Sequence, residues 1–210
     1  MLNKKILLLL IFILITILVW YFSSPAKMIQ IKNVNDYNSI LSQDIIDEQN
    51  NVTSIGQLAN DKKTVFILLR HFGWILCAMH VQEVLAQKEY INKNDIQIIF
   101  IGNGNQLFIE GFKERNNVNN AVYTNPSLEL YNSINATNNI WSTIHPRATI
   151  NYFKAYIQGE NYSGLEGDAS QQGGAIMLYP EANQLTIYTS GVAGDNIQAK
   201  EIVEQFNSMK

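Results

Sequence analysis

The sequence predicts an α/β domain, a mixed sheet flanked by helices, preceded by an N-terminal transmembrane helix. Three observations carry this. Thr64-Val65-Phe66-Ile67-Leu68-Leu69 and Ile96-Gln97-Ile98-Ile99-Phe100-Ile101 are apolar runs of strand length, as expected of strands buried on both faces. A helical stretch of crossover length, Trp74 to Leu85, separates them, so the two strands should be parallel neighbours. Ile6 to Phe22 is uncharged, with Thr16 its only polar interruption, and follows Lys4 and Lys5.

That N-terminal run covers about 17 residues, at the short end of what spans a bilayer, where about 20 is typical. Two lysines ahead of it favour a cytoplasmic N-terminus, and Trp20 and Tyr21 sit where an aromatic belt meets the far interface. Residues 1–26 therefore read as a signal-anchor or transmembrane segment, with 27–210 as the domain on the non-cytoplasmic side. Ser24-Pro25-Ala26 also suits signal cleavage, which would leave a secreted or periplasmic domain, although the apolar run exceeds the usual 7–15 residues of a signal core.

Along the domain, Met28 to Ile31 is expected to be a short strand and Val34 to Ile46 a helix. Asp47 to Asn51 reads as a polar connection, and Ser54 to Asp61 as a loop leading to the first core strand. Lys93-Asn94-Asp95 turns the chain into the second. Gly102-Asn103-Gly104 ends that strand; the third glycine of a dinucleotide fingerprint is replaced by Leu107, so steric relief in a turn is the expectation and no cofactor is predicted. Leu107 to Arg115 is helical, Ala121 to Thr124 a strand, and Ser127 is placed as N-cap of a helix to Ile134. Ile150, Phe153, Tyr156 and Ile157 recur at helical spacing after Pro146. Residues 159–174 form a polar loop. Ala175 to Tyr179 and Leu185 to Tyr188 flank a turn of hairpin length. A last helix has Asp195 as its cap, with Ile197, Ile202, Val203, Phe206 and Met209 on one face. This order, β-α-β, a middle section, then a hairpin and a helix, is the thioredoxin-like layout.

The formal charge of the 210 residues is −3. Lys4 and Lys5 account for two of the 15 basic residues, which leaves 13 against 18 acidic in the domain. Such a balance gives no general attraction to nucleic acid. The single cysteine, Cys77, allows no internal disulfide, so any redox cycle needs a second thiol from outside. His71 and His80 flank it without the spacing or number of ligands that zinc requires, and no metal is expected. Composition does not speak to oligomeric state.

Arg70-His71-Phe72-Gly73 followed by Cys77 resembles the peroxiredoxin-like branch of the alkyl hydroperoxide reductase/thiol-specific antioxidant (AhpC/TSA) family, in which an Arg-(His)-Phe-Gly stretch leads into Cys-x-x-Cys. Tyr123-Thr124-Asn125-Pro126 with Tyr131, Gln172-Gly173-Gly174 ahead of a strand, and Gly194-Asp195 before the last helix resemble further segments of it. The likeness runs over residues 54–208. The family's first motif cysteine falls on Trp74 here, which removes the exposed nucleophile of a dithiol exchange. Cys77 occupies the second position, which resembles the peroxidatic cysteine of Thr-x-x-Cys enzymes. The resemblance thus implies an exported, membrane-tethered thiol oxidoreductase or antioxidant. In it Cys77 is the working sulfur, Arg70 or Arg147 the stabilising cation, His71 a neighbour, and an external thiol the reductant. The alternative it leaves open is a redox-inactive domain that binds a partner at the rim formed by Phe72, Gly73 and Trp74.

Overall fold

In the computed structural model, which describes residues 4–159, 164 and 166–209, the apolar run at Thr64 lies inside an eight-stranded mixed sheet. The strands are β1 (Lys27–Ile31), β2 (Asp44–Ile46), β3 (Val52–Ser54), β4 (Thr64–Leu68), β5 (Gln97–Gly102), β6 (Ala121–Thr124), β7 (Gly174–Tyr179) and β8 (Gln184–Thr189). Their order across the sheet is β1-β8-β7-β4-β5-β6-β2-β3. Helices α1 (Lys4–Tyr21), α2 (Val34–Leu41), α3 (Ile55–Ala59), α4 (Ile75–Ala86), α5 (Lys88–Asn92), α6 (Phe108–Arg115), α7 (Glu129–Ser133), α8 (Pro146–Ile157) and α9 (Ala199–Ser208) complete the described chain.

β4 and β5 pair in parallel, Thr64 opposite Gln97 and Leu68 opposite Ile101, as the crossover length of α4 requires. On its other side β4 runs antiparallel to β7. Alternate side chains of a strand point to opposite faces, and both faces of β4 are covered. Val65 and Ile67 join a cluster with Leu76, Val81, Ile202 and Phe206. Phe66 and Leu68 join a second with Ile40, Ile55 and Leu130. The unbroken apolar run is the sequence's record of that double burial.

Several elements differ from expectation for local reasons. The helix from Val34 stops at Leu41, and Asp44–Ile46 instead pairs with β3 and, through Ile46, with Thr124 of β6. Ser54 caps a short helix rather than sitting in a loop. Its hydroxyl accepts from the Gln57 amide at 3.3 Å while the Gln57 side chain accepts from the Ser54 amide at 3.2 Å, a reciprocal capping box. The N-cap of α7 is Leu128, in the left-handed region at φ 62°, and Ser127 reaches the Glu129 amide at 3.4 Å. Asp195 does not cap α9. Gln198 does, with Glu201 completing the box, while Asp195 pairs with Arg147 at 3.2 Å. The loop expected over residues 159–174 lies partly outside the described residues.

Two glycines show how tightly the strand ends meet. A Cβ at Gly173 would stand 2.4 Å from the Leu68 carbonyl oxygen, and one at Gly102 would stand 2.3 Å from the Phe72 ring. Phe72 is buried to 2% beneath that glycine, with its ring 5.2 Å from Phe112. Phe72→Ala is therefore expected to lower stability by about 3–5 kcal/mol. In a domain of this size that is a fall of roughly 6–20 °C in the thermal midpoint, read by calorimetry.

Candidate functional site

The site forms where β4 ends. Leu69 still follows the sheet, its amide donating to the Ile101 carbonyl at 2.7 Å, and Arg70 to Gly73 then turn the chain into α4. Trp74 is the N-cap, with no side-chain cap bond, so Cys77 falls in the first helical turn. There the thiol meets backbone donors: the Arg70 amide lies 3.3 Å from Sγ, and the His71 amide donates to it as well. Tyr131 holds the strand ends beside this turn. Its hydroxyl donates to the carbonyls of Leu69 at 2.6 Å and Ile101 at 3.1 Å.

Arg70 is 4% exposed, and its guanidinium is held by neutral groups. Nη1 donates to Gln172 Oε1 at 3.2 Å, and Nη2 to Thr143 Oγ1 at 2.8 Å and to the Ala169 carbonyl. One face lies 3.4 Å over the Trp74 ring. Nε, also buried, has no hydrogen-bond partner among the described residues. Nor does a carboxylate form an ion pair with Arg70 there. Desolvation brings its pKa down to about 10, which leaves it charged at neutral pH.

The rim residues are enclosed. Phe72 and Trp74 are 2% and 5% exposed, Gly73 is buried too, and Trp74 stacks on Tyr152 of α8 with 5.7 Å between ring centroids. His71 is buried against Trp74 at 4.9 Å. Burial first, and then the Arg70 charge, lower its pKa to about 4, against a smaller opposing pull from Asp168. The ring is neutral at physiological pH, so Arg70 is the cation of this site. The other candidate, Arg147, is engaged elsewhere, with Asp195 and with the carbonyls of Ser23 and Ser24. His80 is buried and accompanied by the Ile197 carbonyl at 3.2 Å. No group of three or more His, Cys, Asp or Glu side chains that could hold a metal occurs among the described residues.

Cys77 is 4% exposed. Burial pushes its pKa up, against the lowering effect of the His71 amide, the Arg70 charge and the Arg70 amide. Cys77 lines a cavity of about 20 Å³ together with Arg70, Leu76, His80, Gln172 and Ser190, which is room for about one water molecule. The motif at residues 70–77 is thus brought together as its spacing suggested. Thr143, Ala169 and Tyr152 were not readable as part of it, because each arrives from more than sixty residues away. Gln172 and Tyr131 were noted only as parts of a resemblance.

Residues 84–186 match the family model for the AhpC/TSA antioxidant enzyme, a span that begins beyond Cys77. The chain is similar to the thioredoxin-like protein AAED1, chloroplastic, of Arabidopsis thaliana, 24% identical over 76% of this chain and 68% of that protein. It is similar also to peroxiredoxin-like 2C of Mus musculus, 23% identical over 66% of each. It therefore spans about two thirds of the length of these relatives. Among solved structures it is similar to peroxidoxin BcpB from Mycobacterium tuberculosis, with TM-score 0.57 and 8% identity over 80% of this chain and 93% of that one. A bacterioferritin comigratory protein of Xanthomonas campestris gives TM-score 0.56 and 10% identity over 81% and 94%. At that identity the structural likeness speaks for the thioredoxin-like fold.

Proposed function

From the premise that this chain is a peroxiredoxin-like protein of thioredoxin-like fold, we propose that it is a membrane-tethered antioxidant oxidoreductase with Cys77 as its single working thiol. The observation that carries the reading is the buried Arg70 guanidinium. It sits beside a buried thiol and, among the described residues, lacks a carboxylate ion pair and holds one N–H donor without a partner. A buried cation with only neutral hydrogen-bond acceptors is costly, and Cys77 exerts the largest charge influence on it, ahead of Tyr152 and Asp168. In the closed state burial keeps the thiol protonated. Admitting solvent or a peroxide hydrates Sγ and removes the dominant raising influence, which leaves the two amides and Arg70 to favour the thiolate.

The thiolate then attacks one peroxide oxygen. An S–O bond forms as the O–O bond breaks, and the leaving oxygen departs as water or an alcohol after taking up a proton. Cys77 is oxidised to the sulfenic acid and the peroxide is reduced. With no second cysteine in the chain, one external thiol displaces water to give a mixed disulfide. Another external thiol releases Cys77 and leaves as the external disulfide. In this reading the unpartnered N–H of Arg70 donates to the peroxide oxygen, and the His71 amide holds Sγ. The anchor is α1: 18 residues, none buried, with a length of about 27 Å at helical rise, close to the roughly 30 Å hydrocarbon core. The domain it carries then lies on the non-cytoplasmic side.

The burial of Cys77 favours a second reading, a redox-inactive domain that kept the fold and binds a partner. Alkylation of the full chain in detergent at graded pH separates the two. The enzyme reading expects native labelling with a midpoint below the free-thiol value of about 8.5, abolished by prior stoichiometric peroxide. Labelling only after denaturation supports the binding module.

A further inference from the structure

The apolar stripe that identifies α8 in the sequence is on the helix's outward side. Its inward positions are the small, fully buried Ala148 and Ala155, whereas Ile150, Phe153, Tyr156 and Ile157 are exposed, Phe153 to 66%. In the turn leading into the helix, Trp141 (61%) and Ile144 are exposed as well. A monomeric domain rarely leaves such a stretch uncovered. The polar residues of α8 include Arg147 and Lys154 and no carboxylate.

The end of α1 is fixed at the N-terminal end of this helix. The Trp20 ring meets the His145 ring edge-on at 5.5 Å, and His145 Nε2 lies 3.2 Å from Ser23 Oγ. Arg147 Nη2 donates to the carbonyls of Ser23 at 2.9 Å and Ser24 at 2.6 Å. Trp20 and Tyr21 are the residues that would mark the bilayer interface. The 12 residues of α8 extend about 18 Å, so the whole outward face starts from the point where the chain leaves the membrane.

We infer that α8 is an interfacial helix. Its outward face, with Trp141, rests in the headgroup–acyl boundary of the bilayer that α1 enters, and the exposed Lys154 faces anionic headgroups. The inference rests on the reading of α1 as a membrane anchor. It fixes the domain's orientation, since Tyr152 on the inward side of α8 stacks on Trp74 of the thiol site; the site then lies directly beneath the membrane-contacting helix.

The test places the full chain in phosphatidylcholine–phosphatidylglycerol vesicles carrying a shallow nitroxide lipid. Trp20→Phe keeps Trp74 and Trp141, Trp20→Phe/Trp141→Phe keeps the buried Trp74 alone, and Trp141→Phe reports on Trp20. The emission assigned to Trp141 by difference is expected to fall by roughly half or more on adding nitroxide lipid. Phe153→Glu/Ile157→Glu, both at exposed positions, is expected to diminish that quenching. Quenching of Trp20 without Trp141 overturns the interfacial helix and leaves the anchor standing. Quenching of neither overturns both. A Trp141 shielded from lipid nitroxide and from aqueous acrylamide alike means that a protein surface covers the face, which also overturns the inference.

Discussion

Cys77→Ser is expected to reduce thiol-dependent peroxide consumption by the purified full chain to the rate of buffer. No other sulfur in the sequence can form a sulfenic acid or a mixed disulfide, and a serine hydroxyl cannot cycle between those states. Retained consumption in the variant would place the chemistry elsewhere and sink the thiol reading. Arg70→Met, with Cys77 intact, supplies the graded counterpart. Removing a unit charge that favours the thiolate is expected to slow the reaction with peroxide on the order of tenfold and to move the alkylation midpoint upward. Equal rates with and without Arg70 would mean that the guanidinium supports the loop and not the sulfur.

Acid is expected to destabilise the fold through two histidines. His71 and His80 are 1% and 5% exposed, and each has its pKa lowered to about 4, by desolvation first in both cases. In the unfolded chain both titrate near about 6.5. Between those values the unfolded state binds more protons than the native one, so unfolding stability rises with pH across that window. The stabilisation is fully present above about 6.5 and is lost as pH falls toward 4. Two such groups give a loss of roughly 3 kcal/mol each, to be measured by denaturant titration from pH 7 to pH 4. His80→Gln keeps a donor for the Ile197 carbonyl and does not titrate, so its profile should be shallower by about one proton. An unchanged slope would show that His80 is accessible to protons in the native state.

Much of the fold was legible because its strongest signals are local. The runs at 64–69 and 96–101 are apolar on both faces, the stretch between them has the length of a crossover, and the last helix has a clean apolar face. The capping box at Ser54 and Gln57 was equally present in the sequence and went unread, since a three-residue strand before it made the segment look like a loop. Asp195 was misassigned because its partner, Arg147, lies 48 residues away. At the site, Arg70, His71 and Cys77 are neighbours by sequence, and their meeting could be anticipated. The groups that decide the state of the thiol could not: Thr143, Ala169 and Tyr152 come from segments with no local mark of their destination. The stripe on α8 shows the limit of periodicity as evidence. It reports a helix with an apolar face and says nothing about whether that face meets the core or something outside the chain.

The strand order also bears on how this chain reaches its native state. β1, the first strand of the domain, pairs with β8, Lys27 opposite Thr189, and the central β4 waits for β7, Thr64 opposite Leu178. The sheet therefore cannot be completed until nearly the whole polypeptide is available. Closing loops of that length precedes any reward from pairing and makes folding slow. At a synthesis rate of about 5–20 residues per second, β1 and the outer edge of β4 wait several seconds or more for β8 and β7. During that interval the apolar β4 and β5 depend on each other, in the parallel pair that the α4–α5 crossover closes.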